Sequence, residues 1–216
     1  KCIFKEDLIP ETADHLLFRA APYFVVLGML LAFAAIPFSS SLIATDINIG
    51  ILFILGITSL VVVGVMMAGW GSNNKWAVIG GIRSAAQLVS YEIPAALAAM
   101  TVIAMVGSLS MQDIIKAQGG APWNWTAFAS PFALAAFIIF FVAQLAEGNR
   151  TPFDLPEAES EIVSGYNTEY AGMRFLMFFL AEFSNIWVIC AVSVTLFLGG
   201  WQIPGGMSDD GPQLWL

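Results

Sequence analysis

The chain has 216 residues, of which 58% are hydrophobic and 11% charged, with 16 acidic residues against 8 basic ones and a net charge of −8. Soluble domains carry about a quarter charged residues, so an ordinary soluble core is excluded. The acidic excess and the lack of any Lys/Arg cluster exclude a nucleic-acid binder.

The opening stretch KCIFKEDLIPETADH (1–15) is polar and lacks the basic and apolar regions of a signal peptide. Together with the abrupt Gly- and Pro-rich end GGWQIPGGMSDDGPQLWL (199–216), it reads as a piece of a longer chain. Between them lie five apolar runs, each near the roughly 20 residues that cross about 30 Å of hydrocarbon. The first covers about 20–44, with Pro22 at its start and Pro37 late enough to kink or end it. The second covers about 49–70. After the polar GSNNKW and RSAAQ, a third begins near Tyr91 and ends by Val106, with Pro94 in its first turn, where a missing N–H is harmless. The fourth covers about 128–146, and the fifth, 175–199, carries Glu182 inside it.

Barrel strands would alternate over about ten residues, whereas these runs are long and continuous. The expectation is therefore an all-α integral membrane protein with five transmembrane helices. Its parts are an N-terminal segment (1–19), spans with short loops (20–147), an acidic loop with a short helix (148–171), a last span (172–200) and a tail (201–216). If the spans alternate, Lys1, Lys5, Arg19, Lys75, Arg83, Arg150 and Arg174 fall on one side and only Lys116 on the other. The positive-inside rule then places the opening stretch and the acidic loop on the cytoplasmic side, or its matrix or stromal equivalent, and the tail outside.

The acidic loop, EGNRTPFDLPEAESEIVSGYNTEY (147–170), packs Glu147, Asp154, Glu157, Glu159, Glu161 and Glu169 around Arg150 alone. Asp154-Leu-Pro-Glu157 fits a helix start, with Asp as N-cap and Glu reaching back as a capping box. Glu157 and Glu161 would then share a helix face. A solvated acidic face is the bland reading. Three further acids speak against it: Glu92 at the mouth of the third span, Glu147 at the end of the fourth and Glu182 about two turns into the fifth. An acid at mid-membrane costs at least about 2.5–3.5 kcal/mol and usually faces a bundle interior, on a water or proton path. Carboxylates so gathered titrate as a coupled set and can pass protons. Arg150, Arg83 and Arg174 are candidate charge partners, with contact to lipid phosphate as the alternative. The Met and Phe residues of MRFLMFFLAEF (173–183) read most simply as packing.

His15 is the only histidine, and the two cysteines, Cys2 and Cys190, lie far apart. The chain thus lacks the four thiolates of an iron–sulfur cluster and the two histidines of a bis-histidine haem, and no metal site is expected. Any electron carrier sits elsewhere.

Four blocks carry a family resemblance: KEDLIP (5–10), GWGSNNKWAVIGGIRSAAQLVSYEIP (69–94), AEGNRTPFDLPEAESEIVSGYNTEYAGMRF (146–175) and LFLGGW (196–201). In order and spacing, across nearly the whole chain, they resemble the quinone-site membrane subunit of respiratory complex I, a family found in bacteria and mitochondria. That family has eight transmembrane helices, and the five here look like its second to sixth. The resemblance implies a coupling role in a proton-pumping NADH:quinone oxidoreductase. Quinone (ubiquinone or menaquinone) is the substrate, and flavin and iron–sulfur clusters reside in partner subunits. The implied partners are the soluble quinone-site subunits, the antiporter-like membrane subunits and the lipid bilayer, in a bacterial inner membrane or else a mitochondrial inner or thylakoid membrane. Asp154, Glu157, Glu159, Glu161 and Glu169 look like the acids of the loop beside the quinone chamber. Glu92, Glu147 and Glu182 look like the acids of a buried path toward the antiporter-like subunits. Arg150, Arg83, Arg174 and Phe153 look like chamber residues or charge partners. The rival readings are a cation or proton transporter, for which internal symmetry between halves is missing, and the membrane anchor of an energy-converting hydrogenase.

Overall fold

The computed structural model describes residues 2–40, 42–154 and 164–202. Every regular element among them is helical: α1 His15–Ala35, α2 Gly50–Gly71, α3 Lys75–Val106, α4 Met111–Gln118, α5 Thr126–Ala129, α6 Pro131–Glu147 and α7 Gly172–Phe197, with short 3₁₀ turns between some of them. Four of these helices, α1, α2, α3 and α7, are long and apolar enough to cross a bilayer. The fourth run forms α6, an apolar helix of 17 residues, about 26 Å long and thus at the short end of the spanning range. Large apolar side chains such as Leu27, Leu52, Leu97, Phe132 and Trp187 are exposed along the four long helices and α6, as suits a lipid-facing surface. The protein is an all-α integral membrane protein.

The starts of α1, α3 and α6 are set by capping side chains. Asp14 Oδ1 accepts from the Leu16 and Leu17 N–H groups, Asn74 Oδ1 from Trp76 N–H, and Ser130 Oγ from Ala133 N–H. Each satisfies donors that a first helical turn leaves without partners. Two helix ends use asparagine in the left-handed region, Asn73 (φ 48) after α2 and Asn149 (φ 49) after α6. Asparagine tolerates that conformation better than other residues with a Cβ.

Several boundaries differ from the sequence expectation, each for a visible reason. α1 starts at His15 and stops at Ala35, two residues short of Pro37. Pro22 lies inside it, eight residues along. α3 begins at Lys75, not near Tyr91, so Pro94 sits in its interior and Glu92 near its middle, not at the mouth of a span. The polar stretch expected as a loop is helical because Ala77, Gly81, Ser84 and Leu88 recur at helical spacing and are all buried. The 107–127 connection holds a helix of its own, α4, whose Met111, Ile114, Ile115 and Gln118 share a buried face.

Two compact units divide the chain: Lys1–Leu30, Ile57–Tyr91 and Leu145–Ile186 in the first, and Leu31–Gly56, Glu92–Gln144 and Trp187–Leu216 in the second. Small residues let backbones meet in the first unit. A Cβ on Gly69 of α2 would lie 2.8 Å from the Ala77 carbonyl oxygen and 3.1 Å from Gly81 Cα of α3. Without a hydrophobic driving force in lipid, such close backbone packing is what holds membrane helices together. The second unit is organised by Gln118. Its Nε2 donates to the Thr195 and Leu196 carbonyls (2.9 and 3.2 Å), and its Oε1 accepts from Gly199 N–H (2.8 Å), so the end of α4 is tied to the end of α7.

Candidate functional site

The candidate site lies in the first unit, around the C-terminal end of α6. With Asn149 left-handed, its N–H bonds the Ala146 carbonyl (3.3 Å) and the Arg150 N–H bonds the Leu145 carbonyl (3.2 Å). These are the two bonds of a Schellman stop, and they reverse the chain immediately after Glu147. The next turn, Arg150–Phe153, is closed by Phe153 N–H donating to the Arg150 carbonyl at 2.7 Å, and its Thr151–Pro152 bond is cis.

Gln87 of α3 reaches this turn from the other side. Its Nε2 donates to the Phe153 carbonyl (2.7 Å) and the Ala146 carbonyl (2.8 Å), with Asn149 Oδ1 at 3.4 Å. One turn on, Tyr91 meets the Phe153 ring edge-to-face at 5.3 Å. The turn that follows α6 is thus fixed to α3 by polar and aromatic contacts.

Charge gathers around this turn. Glu147 is buried at the last position of α6, where the helix's own carbonyls disfavour negative charge. The Glu182 side chain on α7 is 12% exposed and faces Arg150, with Nη2 to Oε1 at 3.6 Å. That separation is too long for a hydrogen bond, so the pair is a charge contact. The guanidinium carbon of Arg150 also lies 4.7 Å from the Phe183 ring centroid, a cation–π distance.

A second polar group holds the segment that leads into α7. Asn74, the N-cap of α3, donates Nδ2 to Glu169 Oε1 at 2.5 Å. Arg174 pairs with Asp7 of the opening stretch at 3.1 Å and lies over the Phe18 ring at 5.6 Å. Tyr170 stacks flat on Phe18, with centroids 4.1 Å apart and planes 2° apart, and its hydroxyl donates to the Phe18 carbonyl at 3.1 Å. Pro22 has no N–H for the carbonyl four residues before it, which is that of Phe18. Tyr170 takes the acceptor that the proline frees. Burial pushes the Tyr170 phenol well above its ordinary pKa, against the pull of the Arg174 charge.

The expected site residues fall in different places. Arg150 and Glu182 are paired, Glu169 is bonded to Asn74, and Arg174 is bonded to Asp7 in the opening stretch. Phe153 belongs to the turn fixed by Gln87 and Tyr91. Arg83 is half-buried on α3, and Asp154 is exposed. Glu92 is half-buried and belongs to the second unit. Glu157, Glu159 and Glu161, with the short helix expected there, lie outside the described residues. Sequence reasoning missed Gln87, Asn74 and Tyr170. The available signal for the first was an amide at helical spacing behind the small residues Gly80, Gly81 and Ser84. Among the described residues, no group of three or more His, Cys, Asp or Glu is placed to hold a metal ion.

Comparison with known proteins matches residues 1–216 to the family model described as NADH dehydrogenase. The chain is 65% identical to an NADH-quinone oxidoreductase subunit of Anaeromyxobacter dehalogenans, over 94% of its own length and 49% of that protein. It is 49% identical to the NADH-quinone oxidoreductase subunit of the same type from Chlorobium luteolum, over 94% of this chain and 55% of the other. To the Rickettsia prowazekii protein of the same name it is 48% identical, over 96% and 60% respectively. The chain therefore spans about half the length of the curated relatives it matches.

Proposed function

This chain belongs to the NADH dehydrogenase family, and from that premise we propose that it is part of a membrane subunit of a proton-pumping NADH:quinone oxidoreductase. In this reading it forms part of the wall of a quinone chamber and couples quinone reduction to proton translocation. The observation that carries the coupling role is the charge constellation at the end of α6. Buried Glu147, the Arg150–Glu182 pair and the turn leading into the acidic loop all converge there.

Reducing a quinone to a quinol takes two electrons and two protons. The electrons come from carriers in partner subunits, since this chain has one histidine and two separated cysteines and so no ligand set of its own for a cluster. The protons and the change of charge are where this chain acts. An acid held beside a fixed guanidinium changes its proton affinity when a neighbouring charge changes, and so passes the event along a line of carboxylates. Asp154, Glu157, Glu159, Glu161 and Glu169 belong to the loop end of that line in this reading. Glu147, Glu182 and Glu92 belong to its membrane end, with Arg150, Arg83, Arg174 and Phe153 as charge partners or chamber wall. The loop side is cytoplasmic, and the membrane is a bacterial inner membrane.

The test is mass spectrometry of the intact assembly after mild detergent solubilisation, combined with a quinone reductase assay. Iron–sulfur and antiporter-like partners with inhibitor-sensitive quinone reduction support the reading. Recovery of the protein alone, or with a nickel–iron hydrogenase and no quinone activity, refutes it.

A further inference from the structure

We infer that Gln87 is a positioning residue for the Arg150–Glu182 pair, a role that rests on the coupling function proposed above. The residue is 7% exposed, and its amide nitrogen faces three acceptors: the Phe153 carbonyl at 2.7 Å, the Ala146 carbonyl at 2.8 Å and Asn149 Oδ1 at 3.4 Å. An amide has two N–H groups, so the two short contacts take them and the third is a shared, weaker one. The amide can point only this way, because a flipped oxygen would face three oxygens. Gln87 Oε1 has no hydrogen-bond partner among the described residues, so the side chain acts here as a donor alone.

The acceptors bracket Arg150. Ala146 and Asn149 precede it and Phe153 follows it, while its own N–H and carbonyl are held by Leu145 and Phe153. The main chain at Arg150 is therefore pinned on both sides from α3. The direction in which its guanidinium leaves for Glu182 and Phe183 of α7 is set by that pinning. The Arg150–Glu182 contact at 3.6 Å is a charge contact with little directional constraint, so a loosened turn would let the guanidinium drift from the carboxylate. Gln87 touches neither charge and acts through the turn.

Two variants of the full-length protein in its assembled complex test this. Gln87→Leu keeps the bulk and removes both donors. Amide hydrogen exchange at Arg150 and Phe153 should then quicken about tenfold, the effect of losing a buried hydrogen bond, and the proton yield per quinone reduced should fall. Gln87→Glu should work on the acid side, where its protonated carboxyl donates one O–H. It should fail as pH rises and a carboxylate comes to face the Ala146 and Phe153 carbonyls. A wild-type pH profile in Gln87→Glu together with unchanged exchange in Gln87→Leu overturns the inference. Loss of assembly in both variants also overturns it, since Gln87 would then be needed for folding alone. If the unmutated complex fails to couple quinone reduction to proton movement, the proposed function fails, while the exchange data still decide whether Gln87 holds the turn.

Discussion

The Tyr170 hydroxyl donates to the Phe18 carbonyl at 3.1 Å, an acceptor left open because Pro22 on the next turn has no N–H to offer it. A proline inside a membrane helix is thereby matched by a side chain from a distant segment, as buried backbone groups in lipid require. Tyr170→Phe keeps the stacked ring and strands a buried carbonyl, which should cost about 1–3 kcal/mol. In a Pro22→Ala background the restored N–H takes that carbonyl, and the same Tyr170→Phe change should cost less than about half as much. Thermal melting of the four proteins in detergent provides the cycle. Equal costs in both backgrounds would show that the proline and the tyrosine are not linked.

The same phenol gives an alkaline signature. Burial raises its folded pKa above the unfolded value near 10, so the folded protein keeps a proton that the unfolded chain releases. Its contribution to stability is complete below about pH 10 and is lost as pH rises beyond it. Melting of the wild type and of Tyr170→Phe from about pH 8 to pH 11 should show the wild type's advantage constant at first and then shrinking. An advantage that stays level to the alkaline limit would contradict the buried, neutral phenol.

Gly80 of α3 meets backbone, not side chains. A Cβ there would lie 2.6 Å from Gly165 Cα and 2.8 Å from Tyr166 N, neither of which can rotate away. Gly80→Ala should destabilise the fold by roughly 1–3 kcal/mol, the usual cost of overpacking. Gly56, on α2, has nothing within 4 Å of its Cβ position, so Gly56→Ala is the control and should gain up to about 1 kcal/mol. Equal melting temperatures for the two variants would mean that the 165–166 segment does not rest on α3.

The fold class was legible because long apolar runs with few charges have few other uses, and α1, α2, α6 and α7 lie where the runs are. The start of α3 was not legible from hydropathy. Lys75, Arg83 and Gln87 lower the average, although the Ala77–Gly81–Ser84–Leu88 stripe records the helix. Glu92 moved to mid-helix for that reason alone. The charged residues of the site announced themselves by their rarity in an apolar chain. Their actual partners did not: Arg174 chooses Asp7, 167 positions away, and Glu169 chooses Asn74, because tertiary packing sets those pairs. Asn149 as a helix stop and Gln87 as a donor to three oxygens depend on geometry that no local pattern encodes.

The central claim is that the acids around Arg150 couple quinone reduction to proton movement. Glu182→Gln tests it most directly, in membrane vesicles carrying the assembled complex, with quinone reduction and proton uptake recorded together. The substitution keeps the shape beside Arg150 and removes the charge. Both rates should fall together by roughly tenfold, equivalent to about 1.4 kcal/mol. An assembled variant with wild-type turnover and wild-type proton yield would contradict the account.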